Sequence, residues 1–261
     1  MSTDLFRAQS SRMLAALALE LGCELPAFSS HALTVVSRPS NARKGLIVQA
    51  IDTGMGTVLS VQPELVSWAK EHAPTDHHFR ALQPFFLADL AQQARELGFT
   101  SARAHGFSLG FALAERLPVP WLPDRYTLRE VDRAWMDRYR PLNVFANGLG
   151  EPDEVDRFEK TRTAFAVLAP DGEPAAVSAV WDVGHGREEI GVDVRRESRG
   201  MGLAKPVVIA ATHAIVQAGN VPFYSCGATN VRSHRNALAC GFLPLFTLGT
   251  VYSDPVPSPA S

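Results

Sequence analysis

The chain has 261 residues, of which 46% are hydrophobic and 20% charged, with a formal net charge of −2. That length suits one large domain or two ordinary ones, and the apolar fraction is enough for conventional cores. A balance this near neutrality offers no global basic field to nucleic acid or to an anionic membrane, so a small partner is expected. Three cysteines, Cys23, Cys226 and Cys240, are too few and too scattered for a disulfide framework or a Cys-x-x-Cys metal pair. No metal site and a cytoplasmic location follow as expectations.

In chain order, Arg7 and Arg12 ahead of apolar residues 13–19 resemble a secretory start, but Glu20 interrupts the run. Thr3 or Asp4 as N-cap, with Phe6, Met13, Leu14, Leu17 and Leu21 at helical spacing, predicts an amphipathic first helix. No other run approaches the ~18–20 apolar residues of a membrane span. Residues 32–37, 45–51 and 57–61 read as strands, the last two joined through the turn-rich Asp52-Thr53-Gly54-Met55-Gly56. Helices are predicted over 63–72 and 84–97, a strand over 101–105 and a helix over 109–117. Three prolines within residues 117–123 can neither continue a helix nor join a ladder, and the domain boundary is placed there.

The second half has a different rhythm. Strands are predicted at 126–131, 163–168, 175–182, 190–194, 221–226 and 242–252. Helices are predicted at 131–145, broken by Pro141, and at 153–160, 202–217 and 230–240. Ile190, Val192 and Val194 alternate at strand period, and a long apolar helix follows two glycines, Gly200 and Gly202. At such a junction the first helical N–H groups lack intrahelical partners, and glycine lets an anion approach the backbone. A phosphate cradle is therefore one reading of residues 190–204; a plain strand-to-helix turn is the other.

Two sets of residues carry a resemblance. Val194, Arg199, Gly200 and Gly202 match the Val-x-Pro-x-x-Arg-Gly-x-Gly core motif of the GCN5-related N-acetyltransferases (GNAT). Asn230, Ser233, Gly241 and Phe242 match a second signature of that family, Asn-x-x-Ser followed by a short helix ending in Gly-Phe. The order of elements over 124–253 resembles that family's order. Pro222, Cys226, Asn230 and Ser233 resemble a two-domain group within it. The resemblance implies an α/β fold in two parts. Residues 121–253 form the GNAT domain, a mixed, mostly antiparallel sheet flanked by helices. Residues 1–120 would form a smaller α/β domain shaping the acceptor site, and 254–261 a disordered tail.

The resemblance also implies acetyl-CoA as acyl donor and a small-molecule amine as acceptor. Val192 and Val194 would pair with the pantetheine arm. Arg199, Gly200, Met201, Gly202, Leu203 and Ala204 would wrap the pyrophosphate, and Asn230 and Ser233 would sit near the departing sulfur. An alkylammonium with a pKa of about 10 has no lone pair at neutral pH, so a base is needed. Glu188 and Glu189 are candidates, with Asp193 and His234 behind them. The sequence departs from the family's pattern at Arg196, which replaces a proline, at Glu197, an acid beside the cradle, and at Ala237, where many members carry a tyrosine as general acid. Ser233, Cys226 or water could replace that tyrosine, since a thiolate of pKa about 8.5 hardly needs an acid. These departures keep open a CoA-binding module without transfer.

Other motifs point elsewhere. Gly106-Phe107-Ser108-Leu109-Gly110 fits Gly-x-Ser-x-Gly, which would make Ser108 a hydrolase nucleophile on a strand-to-helix elbow. Its preceding strand is too polar for a buried central position. Asp52-Thr53-Gly54 matches an aspartic protease triplet but reads as a hairpin turn. His72, His77 and His78 near Asp76 read as an exposed loop. Trp135 is expected to pack in a core.

Overall fold

The computed structural model describes residues 3–40, 43–74, 76–115, 117 and 119–254. The chain forms α1 (Thr3–Leu21), β1 (Leu33–Ser37), β2 (Leu46–Asp52), β3 (Thr57–Val61), α2 (Val66–His72), α3 (Pro84–Glu96), β4 (Arg103–Leu113) and β5 (Thr127–Val131). There follow α4 (Arg133–Tyr139), α5 (Ala146–Leu149), α6 (Val155–Glu159), β6 (Thr161–Leu168), β7 (Pro174–Gly184) and β8 (Arg187–Val194). Last come α7 (Ala204–Gln217), β9 (Val221–Gly227), α8 (Val231–Ala239) and β10 (Phe242–Tyr252). From β5 onward the order is the one the resemblance implies, except that three short helices, α4 to α6, stand where two were predicted. Residues 255–261, the greater part of the expected disordered tail, lie outside the described residues. No helix among the described residues is long and apolar enough to cross a membrane.

Residues 109–117 do not form a helix; β4 runs unbroken through Arg103–Leu113. Phe107, Leu109, Phe111 and Leu113 alternate with Gly106, Ser108, Gly110 and Ala112, a strand period that the apolar run of 109–114 masks. Gly110 leaves room for the Phe246 ring, which a Cβ would meet at 2.2 Å. Ser108 therefore lies inside a strand and not on an elbow, and the hydrolase reading loses its geometry.

Backbone contacts divide the chain into two units. One comprises residues up to Met13, Phe111–Ser225 and Val231–Leu243; the other comprises Leu14–Gly110, Cys226–Asn230 and the chain from Pro244. The division is not sequential, because residues 226–230 and those from 244 onward group with the N-terminal half.

In the first unit the strand order is β9-β8-β7-β6-β5. β5 to β8 pair antiparallel, and β8 pairs parallel with β9, which makes the sheet mixed. Alternate β7 residues face opposite sides. Val177 and Ala179 join Met136, Tyr139, Phe145, Leu149 and Phe158 from α4 to α6. Ala176 joins Val192 and Val194 of β8 with Leu203 and Val207 at the start of α7. α7 buries Val207, Val208, Ile209 and Ile215 completely, each worth about 1.5–3 kcal/mol against exposure. Its Pro206 is tolerated because it falls in the first turn, where N–H groups have no intrahelical partner.

The second unit has the order β1-β3-β2-β10-β4. β1 pairs parallel with β3, while β2 pairs antiparallel with both β3 and β10. Its core sets Val48, Ala50, Leu59 and Val251 against Leu65, Ala69, Leu87 and Leu90 of the α2–α3 region. The Asp52–Gly56 segment is the expected hairpin turn: Thr53 N–H donates to Gly56 O at 3.1 Å, and Gly54 takes φ +79°.

Candidate active site

The first unit brings the end of β8, the glycine loop and the start of α7 into one stretch. The antiparallel ladder with β7 runs the length of β8, from Gly184↔Arg187 to Ala176↔Val194. The parallel ladder with β9 pairs Arg187↔Val221, Glu188↔Pro222 and Glu189↔Phe223, and among the described pairs goes no further. Val192 and Val194 follow on β8, half-buried. After a short 3-10 turn at Arg196–Ser198 come Gly200 and Gly202 at φ +85° and +75°, and a Cβ at either would meet nothing within 4 Å. Two left-handed residues turn the chain sharply into α7, and neither carries a side chain over the turn.

The loop is anchored at both ends. Leu203 is 1% exposed and packs into the core below α7, while the Arg199 Nε donates to Val194 O at 3.3 Å. Met201 is exposed, and the Tyr126 hydroxyl lies 3.8 Å from its sulfur. Ala204 opens the helix. Glu197 is drawn to the Arg195 Nε at 3.5 Å with its side chain mostly exposed. The acid that departs from the motif is thus offset by its neighbour, and Arg196, Arg199 and Lys205 keep the stretch cationic.

The candidate acids are placed very differently. Glu188 is 3% exposed, and both its oxygens accept from Arg162, Nε at 2.6 Å and Nη2 at 2.8 Å. That hydrogen bond, ahead of the opposing effect of burial, holds the Arg162 guanidinium above its usual pKa. Glu189 is half-buried and accepts from the Ser225 hydroxyl of β9. Asp193 accepts from Asn147 N–H at 2.6 Å, Asn147 Nδ2 at 3.0 Å and Gly148 N–H at 3.0 Å. It clamps α5 onto β8.

Ser233 stands in the first turn of α8, and its hydroxyl lies 2.8 Å from the Tyr224 hydroxyl of β9. Asn236 Nδ2 donates to the same Tyr224 oxygen at 3.3 Å. Ala237, where the resemblance leads one to expect a tyrosine, is completely buried. Tyr224 was not among the expected site residues. Its period on β9 marks it only as core, and nothing in the sequence shows that its hydroxyl meets Ser233. Asn230 forms the turn before α8, its N–H donating to Gly227 O at 2.9 Å, and it groups with the second unit. The His234 ring lies 5.9 Å from that of Phe111. Trp135 packs against the core, its ring tilted 33° to that of Tyr139 at 4.3 Å, as expected.

Two expectations about histidines are corrected or kept. His78 is not a loop residue in solvent: its side chain is 15% exposed, with Nδ1 3.2 Å from Asp52 Oδ1 and 3.0 Å from Thr57 Oγ1. His77 is exposed as expected. Among the described residues no group of three potential ligands could hold a metal ion.

No protein-family model matches the sequence, and no curated protein matches it. The chain resembles solved GCN5-related N-acetyltransferases. One is a GCN5-related N-acetyltransferase-like protein from Streptococcus suis, at 17% identity and TM-score 0.49 over 63% of this chain and 68% of its own. Another is an acetyltransferase of the GNAT family from Colwellia psychrerythraea, at 14% identity and TM-score 0.46 over 75% and 76%. A Drosophila protein aligns at 13% identity and TM-score 0.50 over 96% of this chain and 90% of its own, so the likeness in fold extends through both units.

Proposed function

We propose that the protein is an acyl-CoA-dependent N-acetyltransferase that moves an acetyl group from acetyl-CoA to a small-molecule amine. The observation that carries this reading is the pair of open, left-handed glycines between β8 and α7. An anion as bulky as a pyrophosphate needs uncrowded N–H groups at a helix start, and charge-assisted hydrogen bonds there are worth about 1.5–3 kcal/mol each. Arg199, Gly200, Met201, Gly202, Leu203 and Ala204 would hold the diphosphate, with Arg196 and Lys205 adding charge. The backbone of Val192 and Val194, beyond the described ladder with β9, would receive the pantetheine arm.

Bound acetyl-CoA supplies the activated thioester, and the chain's residues orient the reactants and manage protons. Of the two expected bases Glu189 is the better candidate, because Glu188 would first have to release Arg162. Glu188 then acts as the anchor that keeps β8 and Arg162 in place. Ser233, backed by Tyr224, would supply a proton to the departing sulfur. Three scattered thiols, with Cys240 buried, fit a reducing cytoplasm.

Titration calorimetry with acetyl-CoA tests the donor site, and micromolar binding is expected. Release of CoA over a panel of amines, followed with a thiol reagent, tests transfer. Binding without turnover on any amine would favour the second reading, a CoA-binding module, which the locked Glu188 and the alanine at 237 motivate. Absence of binding would remove both.

A further inference from the structure

The second unit holds an open cleft of about 550 Å³ whose wall includes Leu33, Val35, Pro74, His77, His78 and Phe79. None of these residues enters the acetyl-transfer reading, and the volume lies within the roughly 300–1,000 Å³ of small-molecule sites. We propose that this cleft binds a small neutral aromatic alcohol, a phenol-like ligand whose hydroxyl donates to His78 Nε2.

The proton on His78 is assigned by its neighbours. The Thr57 hydroxyl donates its one proton to Asp52 Oδ1 at 2.8 Å, so it can only accept from His78 Nδ1, 3.0 Å away. Asp52 Oδ1, 3.2 Å from the same nitrogen, is a second acceptor. Nδ1 therefore holds the proton, and in the neutral ring Nε2 is left with a lone pair. Among the described residues no group bonds to Nε2. Asp52 and Thr57 stand outside the cleft wall while His78 belongs to it, so the ring edge turned away from them is the one that meets the cleft. A carboxylate on Nδ1 polarises the ring and strengthens Nε2 as an acceptor. Thr57 is completely buried and paired with Asp52 across the β2–β3 ladder. The ring is thus oriented before any ligand arrives, and ordering it on binding costs little.

The remainder of the wall sets the body of the ligand. Its two formal charges balance: Lys70 is exposed, and Asp76, half-exposed, accepts from Arg80 and from the His77 N–H at 3.0 Å. An ion would leave water for a cleft that holds no dedicated counter-charge, a cost that a neutral ligand avoids. Phe79, 50% exposed, lies nearly parallel to the His77 ring at 5.3 Å and edge-on to His78 at 5.9 Å. A flat ligand ring can join such a group through offset or edge-to-face contacts. Leu33, Val35 and Pro74 supply the apolar surface around it.

Phenol is the probe, titrated into the full chain at about pH 8, where free imidazole is neutral. Calorimetry should give a Kd in the low millimolar range, and amide resonance shifts should be confined to residues 31–35 and 70–79. Anisole, the same body without the donor, should bind at least about fivefold more weakly, the worth of an ordinary hydrogen bond. Benzoate and benzylamine should be weaker by at least as much. Phe79→Ala, at an exposed position that does not endanger folding, should weaken phenol about fivefold, and Lys70→Ala should leave it unchanged. In His78→Phe the preference for phenol over anisole should vanish, a ratio that a general loss of stability would not alter. The proposal is overturned if phenol does not bind, if anisole, benzoate or benzylamine binds as well, or if His78→Phe keeps the preference. Should His78→Phe not fold, the order of the four ligands on the natural chain, with the loss in Phe79→Ala, decides the matter.

Discussion

Gly191 and the pair Gly200 and Gly202 lie within a dozen residues of one another, yet they are glycine for opposite reasons. Gly191 sits mid-strand in β8, where a Cβ would stand 1.9 Å from Asn147 O and 2.7 Å from the Trp181 ring. Its place is a matter of room, needed because Asp193 draws α5 against the strand. Gly200 and Gly202 have room to spare and a backbone that side-chain-bearing residues rarely adopt. The first kind of glycine serves packing and the second leaves a surface bare for something else. A sequence prints the same letter for both.

The comparison can be broken by exchange. Gly191→Ala should cost about 3 kcal/mol, since overpacking against backbone finds no soft neighbour. Urea unfolding would show it, and a variant of unchanged midpoint would mean that α5 is not clamped there. Gly202→Glu should weaken acetyl-CoA at least about 100-fold, close to 2.7 kcal/mol, with a far smaller shift in Tm. If it lowers Tm as much as Gly191→Ala while keeping affinity, the loop is merely a turn. Tyr224→Phe keeps the buried ring and removes the hydroxyl. It should lower kcat about tenfold without changing the Kd for acetyl-CoA, and an equal loss with amines of every pKa would place its effect on the leaving sulfur.

The smallest effect concerns Cys240. Burial pushes its thiol up to about 12, with Lys205 pulling slightly the other way. A thiol held neutral in the folded state favours folding fully below its unfolded pKa of about 9, and that contribution is lost as pH rises from there toward 12. The urea midpoint should therefore fall by a few tenths molar between pH 8 and pH 10, and less so in Cys240→Ala.

The strand, glycine turn and helix of the proposed donor stretch were legible because they are local. Strand period, two glycines and an apolar helix lie within some thirty residues, and φ above zero is what glycine is for. Glu188 and Glu189 could not be told apart, because what separates them is Arg162 on β6, two strands away, and Ser225 on β9. Tyr224 stayed hidden for the same reason: a hydroxyl's partner is a tertiary fact. The error at 109–117 has another origin. A run rich in alanine and leucine suits a helix by propensity, and only the pairing of β4 with β10 decided the matter.

The position of β10 also matters before the protein is finished. In the second unit this strand lies between β2 and β4, and Thr247 to Tyr252 pair with Asp52 to Leu46, some two hundred residues earlier. A ribosome makes those residues long after β2. Until β10 emerges β2 waits with one edge unpaired, so the unit closes through contacts of very long sequence separation, with the slow folding these entail. Nascent chains arrested before residue 244 should carry an unfinished sheet, the state in which an exposed strand edge invites the wrong partner.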